Sequence, residues 1–130
     1  LIDMINMDKR LVVFWEQSGD SEHPYFHDFL THSWTTNYAD DDTSSMDCEK
    51  LRGDVNQPVY HMNNWLKNQA GLSDPNRASE ANDVDFMVER AIECIELHQK
   101  RPTFIAVDWW EEGDVVEAVE RVNLMELDSD

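Results

Sequence analysis

The stretch TFIAVDWW (103–110) ends an apolar run in a single carboxylate, Asp108, directly ahead of two tryptophans. An unpaired carboxylate is costly to bury, so one placed here calls for a partner or a ligand. Strand alternation sets Ile105, Val107 and Trp109 on one face and Phe104, Ala106 and Asp108 on the other. The first face suits packing against helices. The second runs from large to small to charged, the pattern of a strand whose last inward residue reaches an open mouth. In parallel α/β architectures chemistry collects at the carboxyl ends of the strands. Asp108 is therefore a candidate to orient a histidine or to bind a polar substrate group. Its position is equally compatible with capping the next turn or pairing with Arg101 or Arg121.

Other constellations carry weaker signals. His23 and His27 have the i, i+4 spacing of a helical zinc pair, with His32 nearby and Asp28 available as a third ligand. The glutamate of a zinc-protease motif is missing, and exposed histidines on a short acidic helix are the preferred reading, so no metal site is expected. YADDDTSSMDCE offers oxygens for calcium. However, it lacks the sharp-turn glycine of an EF-hand, and Arg52 falls where the closing glutamate belongs. A solvated acidic loop is expected and no cofactor, calcium at this loop being the alternative. Cys48 and Cys94 either pair or remain two buried thiols, the redox compartment deciding between them. Trp15, Trp34, Trp65, Trp109 and Trp110 mostly mark strand ends, as core or rim residues, with one or two available to line a ligand mouth.

The elements that must position these residues follow from pattern. Strands are expected at 10–16, 33–39, 58–66 and 103–110, and helices at 24–34, 83–100 and 114–127. The helix at 83–100 is the clearest: Val84, Met87, Val88, Ala91 and Ile95 recur at helical spacing. Asn82 or Asp83 can cap its start, His98, Lys100 and Arg101 suit its negative end, and Pro102 stops it. Asp114 is the expected cap of the closing helix. Segments 17–24, 40–57 and 71–82 read as loops, and LIDMINMDKR as the last turns of a helix. Apolar strands alternating with amphipathic helices imply an α/β fold built of parallel βα units, the sheet covered on both faces.

The 130 residues suffice for one domain. Twenty-eight acids against ten bases give a net charge of −18, which repels phosphate backbones and argues against nucleic-acid binding. No apolar stretch approaches the roughly 20 residues that span a bilayer, and no signal-peptide pattern opens the chain. The start at Leu1, without an initiator methionine, is read as a mature product or an excerpt of a longer protein.

RPTFIAVDWWEEGDVVEAVERVN resembles the last strand and helix of the phosphatidylinositol-specific phospholipase C X-domain-like proteins, the PLC-like phosphodiesterases. The matching elements are Val107-Asp108-Trp109, Gly113-Asp114 and Val122-Asn123. Upstream, KRLVVFWE, WTTNYADD, MDCEKLRG and YHMNNWL are similar to further family segments in the same order, closest to the extracellular plant, fungal and oomycete branch. The resemblance implies a TIM-type barrel, of which residues 1–130 form the carboxyl-terminal half. It further implies phosphodiester hydrolysis in lipid metabolism by two histidines acting as general base and acid, with an arginine that stabilises the developing charge. Those three groups belong to the amino-terminal half. Asp108 matches the last-strand carboxylate that partners a catalytic histidine. Tyr38 matches a tyrosine at the substrate mouth, and Asn63 the polar residue of the Met-Asn strand, facing the opening if Val59 and His61 share its side. The implied partner is a phosphodiester or phospholipid headgroup, and the implied setting extracellular. Glu16 stands near a cationic headgroup ligand of some bacterial members, and Thr36 where some have an acid. Both departures weigh against inositol-lipid specificity. The alternatives are a non-catalytic acidic secreted binding domain of the same fold and a calcium-dependent phosphodiesterase.

Overall fold

In chain order the elements are α1 (Ile2–Asn6), β1 (Val13–Trp15), β2 (Phe26–Asp28), α2 (Phe29–His32), β3 (Ser33–Thr36), β4 (Lys50–Gly53), β5 (Val59–Asn64), α3 (Ala78–Ala81), α4 (Val84–His98), β6 (Phe104–Val107) and α5 (Val115–Leu124). This computed structural model describes residues 2–9, 11–16, 23–38 and 40–125. Arg10, Ala39, most of the expected loop at 17–24 with its Gly19, and the 126–127 end of the closing helix lie outside the described residues.

The expected strands at 33–36, 59–64 and 104–107 become parallel neighbours, and β4 adds antiparallel to the outer side of β3, giving the order β4-β3-β5-β6. Register pairs Trp34 with Tyr60 and Met62 with Ile105, so these four share one face. There they pack with Ala91, Cys94 and Ile95 of α4 and Val122 of α5. The rings of Trp34 and Tyr60 stack at 3.8 Å, both fully buried, with His98 edge-on to each. Burying two such rings supplies much of the apolar area removed from water. It also raises the Tyr60 hydroxyl to about 12.

α4 follows its pattern. Asp83 caps it by accepting from the Phe86 amide, and Gln99 ends it in the left-handed region at φ 51. The basic residues expected at its negative end reach other segments instead. His98 Nε2 lies 2.7 Å from the Cys48 carbonyl, while Lys100 and Arg101 donate to the carbonyls of Gln57 and Met125. At α5 the expected cap, Asp114, makes no side-chain capping bond.

Three expectations change. The segment 24–34 is not one helix: β2 occupies 26–28 and pairs parallel with β1 in a separate two-stranded sheet, leaving a four-residue helix after it. Its aromatic density suits either state, and pairing with β1 selects the strand. Residues 50–53, read as loop, form β4, where Gly53 at φ 79 lies so close to β3 that a Cβ would sit 2.2 Å from the Ser33 carbonyl oxygen. The helix layer is one-sided: α4 and α5 pack on the Trp34 face, whereas on the opposite face Phe29 of α2 meets His61 edge-on and Phe104 is half exposed. The sheet stays open among the described residues, with β4 and β6 as its edges. The architecture is a mixed α/β fold with parallel and antiparallel pairing. No helix among the described residues is long and apolar enough to cross a membrane.

Candidate functional site

The face of the sheet away from α4 and α5 carries the polar residues. Register aligns Arg52, Thr35, His61 and Phe104 in one row and Asn63 with Ala106 in the next. His61 and Val59 thus alternate on the same side as Asn63, the condition on which that residue faces the opening. Over this face lies a cavity of about 340 Å³ lined by Glu16, Tyr38, Arg52, Asn63 and Trp65. Glu16, Tyr38 and Trp65 each follow the carboxyl end of a strand, β1, β3 and β5, while Arg52 comes from the antiparallel β4.

Arg52 organises the cleft. Its Nη2 lies 3.1 Å from Glu16 Oε1, its Nε 3.5 Å from Thr35 Oγ1, and its guanidinium 5.4 Å from the centre of the Tyr38 ring. The Tyr38 and Trp65 rings are 6.4 Å apart and tilted by 34°, forming an aromatic wall. Asn63 donates its side-chain amide to the Thr36 carbonyl at 3.0 Å, and its backbone amide donates to Thr36 Oγ1 at 3.0 Å. Among the described residues no hydrogen bond engages its Oδ1, which leaves an acceptor at the cleft.

Tyr38 is held from behind. Asp40, 5% exposed, accepts from Asn37 Nδ2 at 2.6 Å, and Asn37 Oδ1 accepts from the Tyr38 amide at 2.9 Å. Burial raises the Asp40 carboxyl above its ordinary 3.8, opposed by the Asn37 hydrogen bond and the charges of Arg90 and Lys67. A carboxyl raised on folding costs stability only when ionised, so this cost is absent below 3.8 and grows as pH climbs through the raised value. Asp40→Asn keeps an acceptor for Asn37 and removes the buried charge. It is expected to raise the Tm at neutral pH, with the difference vanishing toward pH 3; a lowered Tm at neutral pH would contradict this account.

Asp108 stands at the carboxyl end of β6, part-buried, and does not line the cavity. Among the described residues neither arginine weighed as its partner bonds to it: Arg121 pairs with Asp85 and Glu117, and Arg101 donates to Met125. Its backbone is fixed by Asn82, which is fully buried and whose Nδ2 donates to the carbonyls of Asp108, Trp109 and Glu112 at 3.0, 3.2 and 3.0 Å. Gly113, at φ 81, lies so close that a Cβ would come within 2.5 Å of the Asn82 carbonyl oxygen. Trp109 departs from the expected alternation. Its left-handed φ of 54 turns it out of the strand, and its indole donates to Ser73 Oγ at 3.0 Å instead of packing against helices.

The histidine pair dissolves with its helix: His27 sits in β2, and the Asp28 carboxylate accepts from the Thr31 amide and hydroxyl. In the acidic loop Asp42 caps a turn at Thr43–Ser45, and Asp47 accepts from the Glu49 amide. Among the described residues no group of three or more His, Cys, Asp or Glu side chains is placed to hold a metal ion. Cys48 and Cys94 form a disulfide.

The residues that sequence reasoning missed are buried polar ones. Arg90, 2% exposed, donates to the carbonyls of Met46, Asn63 and Asp47 and to Asn64 Oδ1. The signal was present: Arg90 sits three residues after Met87 and four before Cys94, on the apolar stripe itself. Asn82 appeared only as a cap alternative, and nothing local marks it as the anchor of the loop after β6.

A family model described as PI-PLC X 1 matches residues 1–123. No curated protein and no solved structure matches the chain.

Proposed function

Since the chain belongs to the phosphatidylinositol-specific phospholipase C X-domain family, we propose that it forms the carboxyl-terminal portion of a TIM-type barrel that hydrolyses phosphodiesters by general acid–base catalysis. The observation that carries this reading is the polar sheet face away from the helices, where Asn63 and Tyr38 border one cleft and Asp108 follows the end of the neighbouring parallel strand. In this reading a histidine from outside these residues receives Asp108 at one ring nitrogen. The carboxylate holds the tautomer and steadies the imidazolium, while the other nitrogen moves the proton. Tyr38 and Trp65 flank the headgroup, and Asn63 Oδ1 accepts from one of its hydroxyls. The substrate is a phosphodiester, with phospholipid headgroups favoured. The Cys48–Cys94 bridge supports an oxidising, extracellular setting.

The test is Asp108→Asn in the full-length protein carrying both histidines. Its kcat/KM on a phosphodiester is expected to fall about 100-fold with the Tm unchanged, and the 130-residue chain alone to show no turnover. An unchanged rate would make Asp108 structural. No turnover by the full-length wild-type protein would favour the second reading, an acidic domain that binds without cleaving.

A further inference from the structure

Among the described residues Arg52 is the one cation lining the cleft, and its guanidinium has three neighbours there: Glu16 at 3.1 Å from Nη2, Thr35 Oγ1 at 3.5 Å from Nε and the Tyr38 ring at 5.4 Å. Glu16 is the more exposed partner, its side chain 63% accessible against 33% for Arg52, so it meets an incoming ligand first. A phosphomonoester binds arginine best through two parallel N–H donors. Here Glu16 already holds Nη2, so a phosphomonoester must compete with it for that donor and sit beside a carboxylate of like charge, within a chain of net charge −18. The pair itself is weakly held at that exposure. The discrimination comes from the repulsion.

We propose that Glu16 is the specificity-determining residue of this cleft: by closing Arg52 it admits headgroups that bring no charge beyond the scissile diester and turns away those bearing an additional phosphomonoester. The inference rests on the reading above that this cleft receives the headgroup. Its test is a binding measurement with no turnover, so its failure is separable from failure of the Asp108 experiment.

The wild-type chain, Glu16→Gln and Glu16→Gln/Arg52→Met are each titrated at constant ionic strength in two arms, following the Trp65 indole N–H resonance. One arm uses inorganic phosphate; the other uses phosphatidylcholine vesicles containing phosphatidic acid. Glu16→Gln is expected to bind about tenfold tighter than wild type, since it removes a like charge at contact distance, and the double variant to lose the gain. A gain in either arm that Arg52→Met abolishes supports the assignment, and the arm that responds identifies a free or a lipid-borne phosphomonoester. Equal binding by wild type and Glu16→Gln in both arms, a gain that survives Arg52→Met, or no binding by any of the three overturns it.

Discussion

Replacing Cys48 and Cys94 together by alanine lowers the unfolding free energy by about 4 kcal/mol, the loop-closure entropy that a cross-link spanning some 46 residues removes from the unfolded chain. The bridge joins the segment before β4 to the middle of α4, with Cα atoms 5.1 Å apart and both cysteines buried in the main core. It therefore holds the approach to the strand that carries Arg52 into the cleft. Urea unfolding of the double variant against wild type reads the loss as a lower midpoint at similar slope. A thiol assay on denatured, unreduced protein is expected to find no free cysteine. An unchanged midpoint would mean that the bridge constrains nothing the fold does not already hold.

The second large effect belongs to Arg90. Truncation to alanine leaves the carbonyls of Met46, Asp47 and Asn63 and the Asn64 side chain without their donor, in a site with almost no access to water. Breaking a buried charge network from one side typically costs about 3–5 kcal/mol. Burial lowers the Arg90 pKa, with Tyr60, Asp40 and Asp47 pulling the other way, and a guanidinium remains charged across the accessible pH range. Lysine does not rescue: its compact ammonium cannot reach acceptors that the flat fork meets on several sides. Arg90→Met, close in length and without charge, separates lost packing from lost hydrogen bonds. A loss below about 1 kcal/mol for Arg90→Ala would contradict the clamp. Arg90 and Cys94 stand one turn apart on α4 and both secure residues 46–48, so combining the variants is expected to cost less than the sum.

Legibility followed the range of the interaction. α4 was readable because a 3.6-residue apolar stripe, a capping aspartate and a terminating proline all lie within about twenty residues of one another. β6 was readable as an apolar run, and β3 from its aromatic and β-branched residues. β4 was not: Lys50-Leu51-Arg52-Gly53 is short and charged, as an edge strand can be, and shows no buried alternation. Tyr38 and Asn63 were singled out through family resemblance, and the structure brings both to one cleft. Asp108 sits at the strand end that alternation indicated, yet outside the cavity lining, with its loop set by Asn82.

By itself the sequence determined the mixed α/β character, the long helix, the parallel strands and the family, since each is encoded in local periodicity or in ordered motifs. Only the tertiary structure decided that Cys48 meets Cys94, that Arg90 and Asn82 are buried anchors, and that Glu16 closes on Arg52 beside Tyr38. A polar side chain can be buried only where distant backbone supplies its hydrogen-bond partners, and a salt bridge needs two chain segments brought together; neither condition is written in the neighbours of the residue concerned.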